Sequence, residues 1–597
     1  MEEKRIDPLQ IIGFFLLFLV LIWMMYDQSE MMEQNAQAQA NAPTQTQAVD
    51  NNPQPEQLAV TSNAPVLMDS IPEQITTIQN ELLSLSITSK GGFIEEAEVK
   101  AHTNYLDEQV YVVKDANTDF NLKIEANGSL INTRDLDFLP ILDGNQLTMR
   151  SQVAGGTLEF IYTLLKEREE SEAYRFQFGI RSSGLNVQPE TNLYWGLDGF
   201  RHALSADYEN RYTQLTYQYE DDKVQALSAM GDDTDRDKNV SWISYRQHFF
   251  SMILIPSTQF ESIDVESSSL MNEDDSDASV YLKRFETSTA IAAQNGALNT
   301  TFDWFIGPTD YKILKTYDEN LSESISFGWG IIGWINRFLF FPLFGLLSGF
   351  LPYGIAIIVM TIIVRLALSP VTYKSYLSQA KMKVLRPEIN ALNDKYGNDR
   401  AKKQQETMKL YTKAGANPMA GCIPSLLQLP VFLGLFYFFP VAFSLRGKSF
   451  LWAEDLSSYD AIAELPFSIP FYGDHVSLFP LLASIAIFVY SKMTMGQQMQ
   501  PSQPGMPNMK FMIYLMPIMM LFFFNNYASG LSLYYLISNL ITIGIMLVIK
   551  NYIIDEEKIF LKIEENKKKP KKQSRFQRKM EEMMEQAEQQ RRSGRRR

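Results

Sequence analysis

Cysteine is nearly absent from this 597-residue chain: Cys422 stands alone, so no intramolecular disulfide can form and any domain outside the cytoplasm must rest on its own core. Histidine is almost as scarce, with four residues. His102, His202 and His248 lack the spacing of a zinc or iron-sulfur site, and each reads as a surface or packing residue. No glycine-rich loop ending in Lys-Ser or Lys-Thr is present to cradle a nucleotide, and no nucleophile, base and acid form a catalytic constellation. The acidic runs Glu220-Asp221-Asp222 and Glu273-Asp274-Asp275 read as solvated loops, with calcium binding as the other reading. The composition therefore points away from an enzyme and from a resident cofactor.

Apolar length is what the chain has in quantity. Six runs predict membrane-spanning helices, at 9–26, 351–369, 423–444, 478–493, 511–526 and 530–550. The fourth and fifth are short, which leaves five spans as the alternative. The net charge of -15 hides a strong asymmetry. Residues 27–350 carry 48 acidic and 21 basic side chains, whereas 372–417 carry 4 and 10 and 550–597 carry 9 and 16. Short basic loops stay in the cytoplasm, so the acidic block lies outside and both termini inside.

The front of the chain divides by composition. Residues 1–27 pair Lys4 and Arg5 with an apolar run and no small-residue cleavage site, an uncleaved anchor. Residues 28–77 are rich in Gln, Asn, Ala, Pro and Thr and read as a disordered linker. From 78 to 320 the apolar period becomes two: Leu83, Leu85 and Ile87 precede the turn Gly91-Gly92, Phe120, Leu122 and Ile124 precede Asn127-Gly128, and Tyr174, Phe176, Phe178 and Ile180 alternate with polar residues. This predicts an antiparallel, all-β sandwich. Residues 325–350, rich in Trp and Phe with Asn336 and Arg337 on one polar side, predict an amphipathic helix lying on the outer leaflet.

Arg365 is the most informative residue. It lies inside the apolar run 351–376, and a guanidinium is charged wherever it sits. Thr361 is one helical turn earlier on the same face. Pro370 should end the helix five residues later, so Arg365 could snorkel to headgroups. Against that, the next basic residue, Lys374, is about 13 Å further along a helix, and apolar residues follow Arg365 directly. A face toward other helices or water fits better.

Two further spans carry polar groups. The third contains Gln428 and Pro430, and the sixth places Ser532, Tyr535, Asn539 and Thr542 on one face. Bonding between helices would explain such stripes without any further role. Between them, residues 370–418 predict a cytoplasmic helical hairpin with apolar positions Met382, Leu385, Ile389, Leu392 and Tyr396, a break at Gly397-Asn398-Asp399, and a second arm through Met408 and Tyr411. The tail 551–597 ends in Lys and Arg runs suited to nucleic acid or anionic lipid.

Several ordered motifs carry a resemblance: Ile306-Gly307-Pro308, the Arg365 helix ending Ser369-Pro370, Ala380-Lys381-Met382 with Leu385 and Pro387, Asn417-Pro418 with Gly421-Cys422-Ile423-Pro424, Gln428-Leu429-Pro430, Leu451-Trp452 with Asp455-Leu456-Ser457, and Ser529-Gly530-Leu531 with Tyr534-Tyr535. Over residues 300–550 the chain resembles the YidC/Oxa/Alb membrane protein insertases, in the Gram-negative form with a large periplasmic domain. The resemblance implies a five-helix insertase core, an N-terminal anchor and a periplasmic supersandwich in the bacterial inner membrane. It implies that Arg365 sits in a groove open to the cytoplasm and lipid, with Thr361, Gln428 and Tyr535 at positions that matter in the family. Implied partners are nascent membrane proteins, the Sec translocon, membrane lipids, and the ribosome through the basic tail and hairpin. Asn525-Asn526-Tyr527-Ala528 departs from the family's usual aromatic-Phe-Pro corner, leaving that geometry open. A transporter or channel with an anion site at Arg365 is the rival reading, lacking a visible inverted repeat. A glycan-binding surface protein with a mere anchor is a weaker one.

Overall fold

The computed structural model describes residues 73–165, 170–220, 222–272, 278–397, 399–416, 423–470, 472–498 and 509–568. The expected anchor, most of the linker, Glu273-Asp274-Asp275, the stretch from Asn417 to Cys422 and the tail beyond Lys568 lie outside them.

Alternation of apolar and polar residues builds the first half as β structure. A four-stranded sheet and a fourteen-stranded sheet, both antiparallel, share one apolar core in which Trp195, Trp242 and Trp304 are fully buried. The turns form where the sequence expects them. Asn127 and Gly128, both at positive φ, connect strands that pair Ala126 with Ser129, the two-residue hairpin that Asn-Gly favours. Two strands and one short helix face the membrane helices: α1 (Ala206–Asn210), β1 (Asp233–Gln247) and β2 (Phe250–Pro256), with β1 and β2 joined by the tight tip at His248.

The second half is helical. Gly330–Ile335 (α2) and Phe341–Ser348 (α3) are joined through a π turn at Asn336–Phe340. The polar side expected to face headgroups faces the β domain instead. Asn336 is buried and donates to the Phe327 carbonyl, while Arg337 pairs with Glu323 and lies over the Phe327 ring. Trp329, Trp334 and Phe338 on the other side are exposed.

Tyr353–Val384 (α4) is a single 32-residue helix, which corrects the expected break at Pro370. Proline cannot donate to the carbonyl four residues back, and the cost of leaving Leu366 O unpaired normally ends a helix. Here Ser369 Oγ donates to Leu366 O at 2.8 Å, so the side chain supplies what the ring removes. The hairpin's first arm is thus continuous with the span and turns only at Leu385, where Arg386–Lys395 (α5) begins. Arg400–Ala414 (α6) starts at an Asp399 side chain that accepts from Lys402 N and ends at Gly415 in the left-handed region.

The remaining helices are α7 (Ile423–Val441), α8 (Leu478–Gln498), α9 (Met509–Phe524), α10 (Ser529–Val548) and α11 (Glu556–Lys568). Between α7 and α8 lies a β-hairpin that the sequence pattern does not predict, β3 (Ala461–Ile469) and β4 (Gly473–Ser477). Residues 556–568, the start of the basic tail, are helical and fold back: Ile559 and Ile563 pack with Leu385, Tyr411 and Ala414, and Lys567 pairs with Glu388 at 2.7 Å. Among the described residues, Gly330–Ser348, Tyr353–Val384 and Ser529–Ile553 are long and apolar enough to cross a membrane, and Leu426–Val441, Leu478–Thr494 and Tyr514–Phe524 are shorter apolar helices.

Candidate functional site: a polar groove between three helices

Arg365 lies twelve residues into α4, and α7 and α10 flank it. Its Nε donates to Ser538 Oγ of α10 at 2.6 Å and its Nη1 to Gln428 Oε1 of α7 at 2.9 Å. A guanidinium has five N–H donors in a planar fork, so these two bonds leave three available. Both acceptors are neutral. Among the described residues no carboxylate comes within ion-pair reach of Arg365, so its charge is held in place without being cancelled.

The residue of α10 that holds the arginine is one that the polar stripe Ser532, Tyr535, Asn539 and Thr542 does not include. Ser538, not Asn539, meets the arginine: Asn539 Nδ2 donates to the Tyr535 carbonyl of its own helix at 2.7 Å. Periodicity could have found Ser538, since it follows Tyr535 by three residues and precedes Thr542 by four. Serine in an apolar helix is so common a packing residue that the larger amide stands out instead. Thr361 is fully buried and Thr542 nearly so, and both hydroxyls bond back to their own helix, at Ile357 O and Ser538 O, each at 2.7 Å. Neither hydroxyl bonds the guanidinium.

Gln428 Nε2, Ser532 Oγ and Tyr535 OH are buried, and among the described residues none finds a partner. Each such group would cost about 1–3 kcal/mol if it stayed unbonded. Water or a polar guest would satisfy these groups better than an apolar one. Tyr535 is fixed by its ring, which packs against Phe432 at 5.5 Å and Phe524 at 4.9 Å.

Toward the outside the groove is filled. Ile357, Met360, Phe438, Phe439 and Leu531 form a continuous buried cluster beyond Arg365. The unusual corner after α9 is pinned over it by Asn525. This fully buried side chain donates to Tyr472 O at 2.7 Å and His475 O at 2.8 Å and accepts from Ser477 N at 2.9 Å. An amide thus does with hydrogen bonds what an aromatic corner would do by packing. Laterally, α7 and α9 meet at their outer ends, where Phe436 stacks on Phe523 at 5.9 Å and touches Tyr527 at 5.3 Å. Inward of this contact, Leu426, Leu427 and Leu429 of α7 and Tyr514, Met516 and Met519 of α9 are exposed.

Two family models match: the one described as 60Kd inner membrane protein over residues 343–557, and the YidC periplasmic domain over residues 185–342. A membrane protein insertase YidC of Parabacteroides distasonis is 40% identical over 529 residues, 83% of this chain and 81% of that protein. The chain belongs to the YidC family of membrane protein insertases. Relatives of the same name in Bacteroides fragilis and Porphyromonas gingivalis are 36% and 35% identical over 520 and 532 residues, covering 84% of this chain and 82% of theirs. A solved structure of a galactose mutarotase-like protein from Lactobacillus casei is similar over 39% of this chain and all of that one, at 11% identity and a TM-score of 0.28. The family makes this an inner-membrane protein whose β domain is periplasmic and whose substrates are membrane proteins met in lipid.

Proposed function

We propose that this protein inserts membrane proteins, and chaperones their folding, by passing polar segments through the groove at Arg365. A polar segment entering hydrocarbon loses its hydration at several kcal/mol per unpaired group. Arg365, Gln428, Ser532, Ser538 and Tyr535 would replace part of that hydration halfway across. Acidic side chains of the incoming segment would be drawn to the unused face of the guanidinium and released again, because among the described residues Arg365 has no permanent counterion to displace. The apolar part then moves between α7 and α9 into lipid, driven by about 25 cal/mol for each Å² removed from water. No bond is made or broken, and no nucleotide is needed.

The observation that carries this reading is an arginine that, among the described residues, is anchored by two neutral acceptors, on helices that also hold three buried, unpartnered polar atoms. The basic segments 372–417 and 550–597 support a topology with both termini in the cytoplasm. The hairpin and the basic tail would there meet ribosomal RNA or anionic lipid, with the protein acting alone or beside the Sec translocon. The rival, an anion channel, uses the same arginine. Proteoliposomes separate the two: insertion of a short single-span substrate without ATP, lost in Arg365→Ala, supports an insertase, whereas solute flux without insertion would replace it with a channel.

A further inference from the structure

Beside its contacts with Asn336, Arg337 and Arg446, the β domain reaches both sides of the place where α7 meets α9 through one aromatic cluster with two grips, in which the Tyr208 and His248 rings lie 5.9 Å apart. The first grip is His248, at the tip between β1 and β2. Its φ of 58° is left-handed, its ring is buried flat against Phe249 at 3.8 Å and Tyr212 at 5.0 Å, and its Nε2 lies 2.8 Å from Pro440 O. That carbonyl belongs to the last turn of α7, where a helix has no donor of its own. Burial lowers the pKa of His248 to about 3, so the ring is neutral and can cap the carbonyl as an N–H donor. Val441, the next residue, is buried within the core of the sandwich, and Phe443 sits between His102 at 5.3 Å and Phe250 at 5.9 Å.

The second grip lies on the corner between α9 and α10. Tyr208 of α1 is buried in the apolar core of the helices and meets the Tyr527 ring edge-on at 5.9 Å, with the Arg211 guanidinium 5.6 Å from the same ring. Tyr527 in turn stacks on Phe523 at 4.8 Å, and both rings close on Phe436. The aromatic stack that shuts the outer end of the α7–α9 gap is therefore backed by a side chain of the β domain.

We propose that the β domain is an outer clamp on the lateral opening: His248 under α7 and Tyr208 behind Tyr527 fix the separation of α7 and α9 and hold the Phe436–Phe523–Tyr527 stack closed. A substrate helix then leaves through a gap whose outer end yields only as the sandwich shifts. The proposal rests on the reading that substrates exit between α7 and α9, but the clamp can be measured without any substrate. His248 and Tyr208 are positioning residues, acting through α7 and through Tyr527.

The test uses full-length protein in membranes, with Cys422→Ser as background. One cysteine pair, Phe436→Cys with Phe523→Cys, reports the outer end; another, Gln428→Cys with Ser538→Cys, reports the groove. With His248→Ala and Tyr208→Ala combined, disulfide formation in the outer pair should slow roughly fivefold, the scale set by losing one hydrogen bond and one aromatic contact, while the inner pair keeps its rate. His248→Gln with Tyr208→Phe, which retain a donor and a ring, should restore the outer rate. An outer rate unchanged by the alanines, or an equal slowing of both pairs, would overturn the clamp. If the split is found but no substrate crosslinks to α7 or α9, the clamp stands and the exit route falls.

Discussion

Two arginines in this molecule are held almost alike and lead to different outcomes. Arg246, fully buried in the sandwich, donates to Ser324 O at 3.0 Å and to Gln214 Oε1 at 2.9 Å. Arg365 donates to Ser538 Oγ and Gln428 Oε1. Among the described residues neither has a carboxylate within ion-pair reach. Around Arg246 the sandwich closes completely, burial lowers its pKa to about 10, and its own Nε is buried without a partner among the described residues. Around Arg365 the packing stops: its side chain is half-buried, and unpartnered polar atoms stand beside it. Neutral acceptors around an arginine therefore do not by themselves make a site. Nor does left-over bonding capacity, which both arginines have; exposure of that capacity, which Arg365 keeps and Arg246 lacks, is what separates them.

The largest effect should separate the two. Arg365→Ala should lower insertion of small substrates with acidic outer segments by an order of magnitude or more in proteoliposomes, with Arg365→Lys retaining part of the activity because charge counts for more than the fork. Arg246→Ala should instead act on stability. It opens a cavity and strands two acceptors, costing the sandwich about 3 kcal/mol in thermal or denaturant unfolding, with a far smaller loss of insertion. If both variants fail by unfolding, the contrast collapses.

A smaller effect tests which neighbours hold Arg365. Ser538→Ala and Gln428→Leu should each reduce insertion a few-fold, in line with roughly 1 kcal/mol for one hydrogen bond, whereas Asn539→Ala, whose bond stays within α10, should change nothing measurable. Equal losses in all three would mean that the polar face acts only by packing helices together.

The smallest effect lies at the seat of the β domain and depends on pH. Burial raises the pKa of Glu209 to about 7, although it accepts from the backbone of His202 and Ala203. A carboxyl that binds its proton more tightly folded than unfolded loses stability as pH rises from about 4.5 to 7, and the penalty stays above that. His102, His202 and His248 are lowered by burial to about 4, 4 and 3, so they lose stability as pH falls below 6.5. Three groups oppose one, and the docked domain should weaken in mild acid. Glu209→Gln should raise the melting midpoint at pH 8 and leave it unchanged at pH 4.5, which differential scanning calorimetry can check.

How much of the fold and the groove is legible in the sequence depends on where each signal comes from. Period-two strands such as Leu83–Thr88, the Asn127-Gly128 turn and the apolar runs are local, and local rules describe them. Arg365 and Gln428 stand out because a charge and an amide are costly in lipid. Ser538 does not, because its role depends on the azimuth of α10 relative to α4, which no single helix encodes. The continuation of α4 through Pro370 is hidden for a similar reason, since Ser369 reads as a neighbour of the break and not as the donor that removes it. The His248 cap on Pro440 lies beyond sequence patterns altogether: the partners are 192 positions apart and one of them is a backbone carbonyl.

The most direct measurement is thiol labelling of Gln428→Cys, a partly exposed position beside Arg365, in a Cys422→Ser background, using a membrane-impermeant maleimide on vesicles of both orientations. Reaction from the cytoplasmic face alone, suppressed when a stalled substrate occupies the groove, is what a cavity wet from one side requires. No reaction from either face, or equal reaction from both, would contradict it.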